Sequence, residues 1–178
     1  MRILILTIIM SLYSACNPSQ DNKSSRQELR TGADQMEKYL PLLKGKTIAL
    51  VANQTSEING THLVDTLLAY ASAYDFRLKQ VFAPEHGFRG VIDDGAWVDD
   101  STDPDTGLPI ISVYGKHKKP PPSVMEGIGL VIYDIQDVGT RFYTFISTLH
   151  YMMEACAELG IPLIVLDRPN PNGNFVDG

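Results

Sequence analysis

The sequence predicts an α/β fold, a Rossmann-like parallel sheet with helices on both faces. Three observations predict it. Five short apolar runs recur along the chain: Thr47 to Val51, Leu78 to Phe82, Ile110 to Val113, Leu130 to Tyr133 and Pro162 to Leu166. Near-continuous apolar strands belong to sheets covered on both faces, which are usually parallel. Helical spacing separates several of the runs, as strand-helix alternation requires. Each run then empties into a loop dense in carboxylates, amides, arginines and glycines.

The elements follow in order. Arg2 and the apolar stretch Ile3 to Leu12 form a leader too short to span a bilayer. Small residues Ser14 and Ala15 then precede Cys16, the arrangement of a bacterial lipoprotein signal in which the cysteine is lipidated. Residues 1–16 are therefore expected to be a signal peptide. The mature protein is expected to be exported, periplasmic or membrane-anchored through a lipid on Cys16. Residues 17–42 form a polar tether and a lead-in segment, and 43–178 the Rossmann-like domain. The first strand precedes a helix over Thr61 to Tyr74, with Leu63, Leu67, Tyr70 and Tyr74 at helical spacing. A short helix around Ser123 to Glu126 precedes the fourth strand. A long helix over Phe142 to Leu159 carries Phe142, Phe145, Ile146, Leu149, Met152, Met153 and Cys156 on its stripe. Gly160 stops it where a left-handed cap favours glycine.

Composition narrows the function. The 178 residues are 44% hydrophobic and 20% charged, enough for one domain with a buried core. A net charge of −6 excludes nucleic acid as an expected partner, because phosphate binding needs a basic face. A small anionic substrate stays open, since a few local arginines can hold one. The two cysteines are Cys16 and Cys156, and the second falls on a helical stripe as a small buried hydrophobe. The four histidines lack zinc spacing, and no phosphate loop, dinucleotide fingerprint or nucleophile elbow occurs. No metal and no cofactor are expected.

In parallel sheets ligands bind beyond the carboxyl ends of the strands. Glu85, in the loop Pro84 to Gly90, is the best candidate for acid/base work; capping a helix or pairing with Arg89 is its structural alternative. Adjacent residues of an extended chain point apart. His86 is therefore a separate candidate, for substrate contact or for loop hydrogen bonding. Asp134 and Asp137 are candidates for a second carboxyl; Asp137 has the alternative of capping the long helix. Arg89, Arg141 and Arg168 are candidate holders of an anionic group, with internal ion pairs as the alternative. Asn53, Gln54 and Asn170 are amides that suit a sugar, although turns also favour asparagine.

Five ordered strings resemble one family. They are Leu50-Val51-Ala52-Asn53-Gln54-Thr55-Ser56, Ala83-Pro84-Glu85-His86-Gly87-Phe88-Arg89-Gly90, Thr106-Gly107-Leu108-Pro109, Asp134-Ile135-Gln136-Asp137-Val138-Gly139-Thr140-Arg141-Phe142-Tyr143 and Leu166-Asp167-Arg168-Pro169-Asn170-Pro171. Together they resemble the exo-β-N-acetylmuramidases of peptidoglycan recycling, from about Leu43 to the end of the chain. The resemblance implies a Rossmann-like domain, a second domain beyond it and a site in the cleft between them. It implies hydrolysis of non-reducing terminal N-acetylmuramic acid from peptidoglycan-derived saccharides, with Glu85 at the position of the family's catalytic glutamate. The lactyl carboxylate of that sugar would give the arginines a task. By the same comparison the chain reads as truncated before its second domain, and the piece alone is expected to be weakly active or inactive. A non-catalytic lipoprotein that binds cell-wall sugars is the main rival, since it needs the amides and arginines but not Glu85. An esterase on the same scaffold is a weaker one.

Overall fold

The run Thr47 to Val51 lies at the centre of the sheet because both of its faces are apolar. A computed structural model describes residues 29–85, 87–89, 100–115 and 118–174. The expected signal peptide with Cys16 and the expected tether up to residue 28 lie outside the described residues, as does His86.

Strand β1 spans Thr47–Ala52. A small hairpin follows, β2 (Glu57–Ile58) and β3 (Thr61–His62), and then helix α2 (Leu63–Ala71). The remaining strands are β4 (Arg77–Ala83), β5 (Ser101–Thr102), β6 (Pro109–Ser112), β7 (Leu130–Asp134) and β8 (Leu163–Val165). Helix α3 (Pro122–Met125) precedes β7, and α4 (Phe145–Leu159) joins β7 to β8. The main sheet has the order β5-β6-β4-β1-β7-β8. Its strands pair in parallel, except that β5 runs antiparallel to β6 at one edge. The fold is therefore α/β and Rossmann-like. The chain builds outward from β1 to β6 on one side and then returns to the other side with β7. That reversal puts the topological switch point at the carboxyl ends of β1 and β7, where such sheets bind ligands.

Alternation along β1 divides the core. Ile48, Leu50 and Ala52 face one layer with Leu63, Val64 and Leu67 of α2. Ala49 and Val51 face the other, with Phe82, Val131, Tyr133, and Met152 and Cys156 of α4. Right-handed crossovers require this: connections running in opposite directions along a sheet place their helices on opposite faces. Cys156 is buried, and burial pushes its thiol up to about 11, in keeping with a packing role.

Three features were not legible. Helix α1 (Met36–Tyr39) and a 3-10 turn at Leu40–Leu43 lie mostly in the segment read as lead-in. Ala33, Tyr39, Leu40 and Leu43 nevertheless join the α2 layer of the core. Two consecutive turns are too short to show a period. Strands β2, β3 and β5 have two residues each and escape for the same reason. The apolar stripe of the long helix is also wider than its buried face. The helix begins at Phe145, Phe142 is 82% exposed, and Ile146 and Met153 are exposed too. Tyr70 of the first predicted helix is likewise exposed. Periodicity marks which residues are apolar, whereas the position of the neighbouring strands decides which are covered. The predicted cap holds: Gly160 has φ 65° and Ile161 N donates to Cys156 O at 2.9 Å.

The lead-in segment is pinned to the far end of the sheet. Gly32 N donates to Asp167 O at 2.6 Å. A Cβ on Gly32 would lie 2.5 Å from Asp167 N and 2.6 Å from Leu166 C, against backbone that has little room to yield. Gly32→Ala is therefore expected to destabilise the domain by about 1–3 kcal/mol through overpacking. The check is the shift of the urea unfolding midpoint.

Candidate active site

Glu85 follows β4 after a single proline, so its position is set by the sheet. Two hydroxyls from different elements reach its carboxyl group. The phenol of Tyr114, just past β6, donates to Oε1 at 2.7 Å. Thr144 Oγ1, at the N-cap of α4, donates to Oε2 at 2.9 Å. Glu85 is half-buried, with Phe88 packed into the core beneath the same loop. The hydrogen bond to Glu85 pushes the Tyr114 phenol up from its ordinary value. Neither Tyr114 nor Thr144 was singled out in the sequence. Tyr114 opens the loop after the third apolar run, and that placement was the available signal.

Asp134 ends β7 and is fully buried. Arg168 grips it with a two-pronged contact, Nε to Oδ1 at 2.6 Å and Nη2 to Oδ2 at 2.9 Å. Arg168 Nη2 also donates to the Glu57 carbonyl at 3.0 Å. The hydroxyl of Ser56 donates to the Asp134 carbonyl. One aspartate thus ties together the loops after β1 and β8. Burial pushes its carboxyl up, and the two Arg168 hydrogen bonds oppose that push. Asp134 in turn holds the Arg168 guanidinium charged more firmly than usual.

Arg89 is engaged in the same way. It meets the nearly buried Asp103 through Nε at 3.0 Å and Nη2 at 2.9 Å, and Asp65 of α2 at 3.3 Å. Asp105 lies 3.6 Å away. These contacts pin the Glu85 loop to α2 and to the turn before β6. For Arg89 and Arg168 the structure thus realises the ion-pair alternative noted in the sequence.

The amides divide. Asn53 is fully buried, and its Oδ1 accepts from Thr55 N at 2.9 Å and Thr55 Oγ1 at 2.6 Å. Its Nδ2 is buried with no hydrogen-bond partner among the described residues. Such an orphan donor costs about 1–3 kcal/mol. Gln54 is exposed and lines a polar groove with Glu57, Thr61, His62 and Asp65. Asn170 is exposed; its Oδ1 accepts from Asn172 N at 2.9 Å. Its side chain abuts Gly139, where a Cβ would clash. Asp137 caps its own loop, accepting from Gly139 N at 2.6 Å, and Thr144 occupies the helix N-cap instead. Arg141 is exposed in the segment that leads into α4.

His62 was set aside in the sequence for lack of metal spacing. It caps α2: Val64 N donates to Nδ1 at 3.2 Å, which leaves Nε2 to donate to the Asn53 carbonyl at 3.0 Å. The ring is neutral in this arrangement, and burial pushes its proton affinity below the ordinary value.

The fold and the strand-end layer define an α/β domain that presents a hydroxyl-clamped glutamate beside two internally paired arginines. Residues 48–178 match the family described as exo-beta-N-acetylmuramidase NamZ, N-terminal, and the chain belongs to that family. A curated relative, the peptidoglycan beta-N-acetylmuramidase NamZ of Bacillus subtilis (strain 168), is 42% identical over 167 residues. The match covers 93% of this chain and 40% of that protein. Two crystal structures of DUF1343 family proteins from Bacteroides fragilis NCTC 9343 share the fold at TM-score 0.70, with 42% and 39% identity. Each match covers 83% of this chain, and 37% and 36% of the respective structures.

Two predictions follow from the pairings. Asp134→Asn strands a buried guanidinium and is expected to cost about 3–5 kcal/mol. The double variant Asp134→Asn/Arg168→Gln should lose less than the sum of the two singles, as read by chemical denaturation in a double-mutant cycle. His62 gives a pH dependence. As pH falls through 6.5, the ordinary value, the unfolded chain takes up a proton that native His62 refuses. Stability is therefore present above 6.5 and lost as pH falls toward the lower native value. His62→Gln should flatten that decline in unfolding curves recorded across the range.

Proposed function

We propose that the complete protein is an exo-acting glycosidase that hydrolyses non-reducing terminal β-linked N-acetylmuramic acid from peptidoglycan fragments. The observation that carries this reading is the fixed carboxyl of Glu85 at the end of β4, on the ligand-binding side of a sheet of this family. Glycosidases cleave through carboxyl groups that protonate the leaving oxygen or activate water or a nucleophile. In this reading Glu85 performs the proton transfer at the glycosidic oxygen or at the attacking water. Asp134, with both oxygens engaged by Arg168, shapes the neighbouring loops rather than exchanging protons. The exposed Gln54, Asn170 and Arg141 are the side chains assigned to sugar contact, and Arg141 suits the lactyl carboxylate. His86, next to Glu85 in the same loop, belongs with them. Export as a lipoprotein anchored through Cys16 would place the enzyme where such fragments arise.

The test is turnover of a chromogenic β-N-acetylmuramide by the complete protein. Glu85→Gln is expected to lower kcat by about 10²–10⁴-fold with an unchanged unfolding midpoint. Near-normal turnover in that variant would remove Glu85 from the mechanism. Binding of muramic acid fragments without release of product would instead favour the non-catalytic lipoprotein.

A further inference from the structure

We infer that Tyr114 is a positioning residue for Glu85, acting together with Thr144, and this inference rests on the glycosidase reading above. The two hydroxyls reach different oxygens of one carboxyl group, at 2.7 Å and 2.9 Å. They come from elements on opposite sides of β1 in the sheet order: Tyr114 follows β6, and Thr144 begins the helix between β7 and β8. A donor on each oxygen fixes the plane of the carboxyl as well as its place. A single donor would leave the group free to rotate about its last bond.

The choice of hydroxyls has a chemical consequence. A neutral donor orients the carboxylate without cancelling its charge, unlike the guanidinium that grips Asp134. Hydrogen bonds from neutral donors favour the ionised form. Tyr114 and Thr144 thereby keep the Glu85 carboxyl aimed at one place. A phenol is protonated at neutral pH in any case, and the bond to Glu85 disfavours the phenolate further. Its supports are local. Tyr114 packs against the core cluster on the α2 side. Its backbone N donates to Ser112 Oγ at 3.3 Å, which holds the residue at the strand end.

The experiment compares wild type, Tyr114→Phe, Thr144→Val and Thr144→Ser in the complete protein. Phenylalanine keeps the ring and removes only the donor. On a chromogenic β-N-acetylmuramide, Tyr114→Phe and Thr144→Val are each expected to lose about ten- to a hundredfold in kcat. KM and the unfolding midpoint should stay near wild type, and Thr144→Ser should restore most of the rate. A second readout needs no turnover. In protein carrying 13C-labelled glutamate, the Glu85 carboxyl resonance, assigned with Glu85→Gln, should shift in Tyr114→Phe at fixed pH. An unmoved resonance overturns the inference, and so does a wild-type kcat in Tyr114→Phe. If wild type turns over no muramide, the glycosidase reading fails and the resonance alone decides whether Tyr114 holds Glu85.

Discussion

The strand-end layer depends on one buried ion pair, Asp134 with Arg168. A charged pair removed from water is stable only when short, well-aligned hydrogen bonds offset the lost hydration. Here the guanidinium meets both carboxylate oxygens and spends its remaining reach on a backbone carbonyl in β2. The same aspartate offers its own carbonyl to Ser56. The loops after β1, β7 and β8 are thus referred to one fixed point at the switch of the sheet. Gly32 adds the lead-in segment to that assembly through Asp167, the neighbour of Arg168.

Arg89 repeats the device on the other side of β1. Its partners Asp65, Asp103 and Asp105 belong to α2 and to the turn before β6. Glu85 lies four residues before Arg89, in a loop braced at one end by β4 and at the other by this network. Its hydroxyl contacts then complete the frame from β6 and α4. Rigid elements therefore hold the proposed reactive group, although the group itself sits on a loop. Placement of that kind favours catalysis, because reacting atoms must be held within a fraction of an ångström.

The sheet was legible because burial on both faces forces continuous apolar runs, and those runs match β1, β4, β6, β7 and β8 closely. The strand-end loops were legible as a set, since parallel strands bring them to one edge. Which side chains meet within that edge was not. Arg89 and Arg168 read equally well as anion binders and as internal partners. The choice turned on Asp103 and Asp134, whose distances depend on tertiary placement. Tyr114 and Thr144 stayed unmarked for the same reason: a tyrosine after a strand and a threonine before a helix are common, and only the fold aims both at Glu85.

Charge accounting within the edge sharpens the case for Glu85. The chain is acidic, with 21 carboxylate residues against 15 lysines and arginines, so a carboxylate near a strand end carries little information by itself. The pairings sort them. Asp65, Asp103 and Asp134 bind arginine, and Asp137 caps its own loop. Each of these contacts makes the aspartate part of the scaffold. Glu85 accepts from two neutral hydroxyls, one on each oxygen. A cation beside a carboxylate opposes its protonation, although at Asp134 burial acts the other way and is the larger effect. A carboxylate aligned by hydroxyls can take a proton while its donors stay in place. The hydroxyl pair on Glu85 thus agrees with the proton-transfer role proposed for that carboxyl.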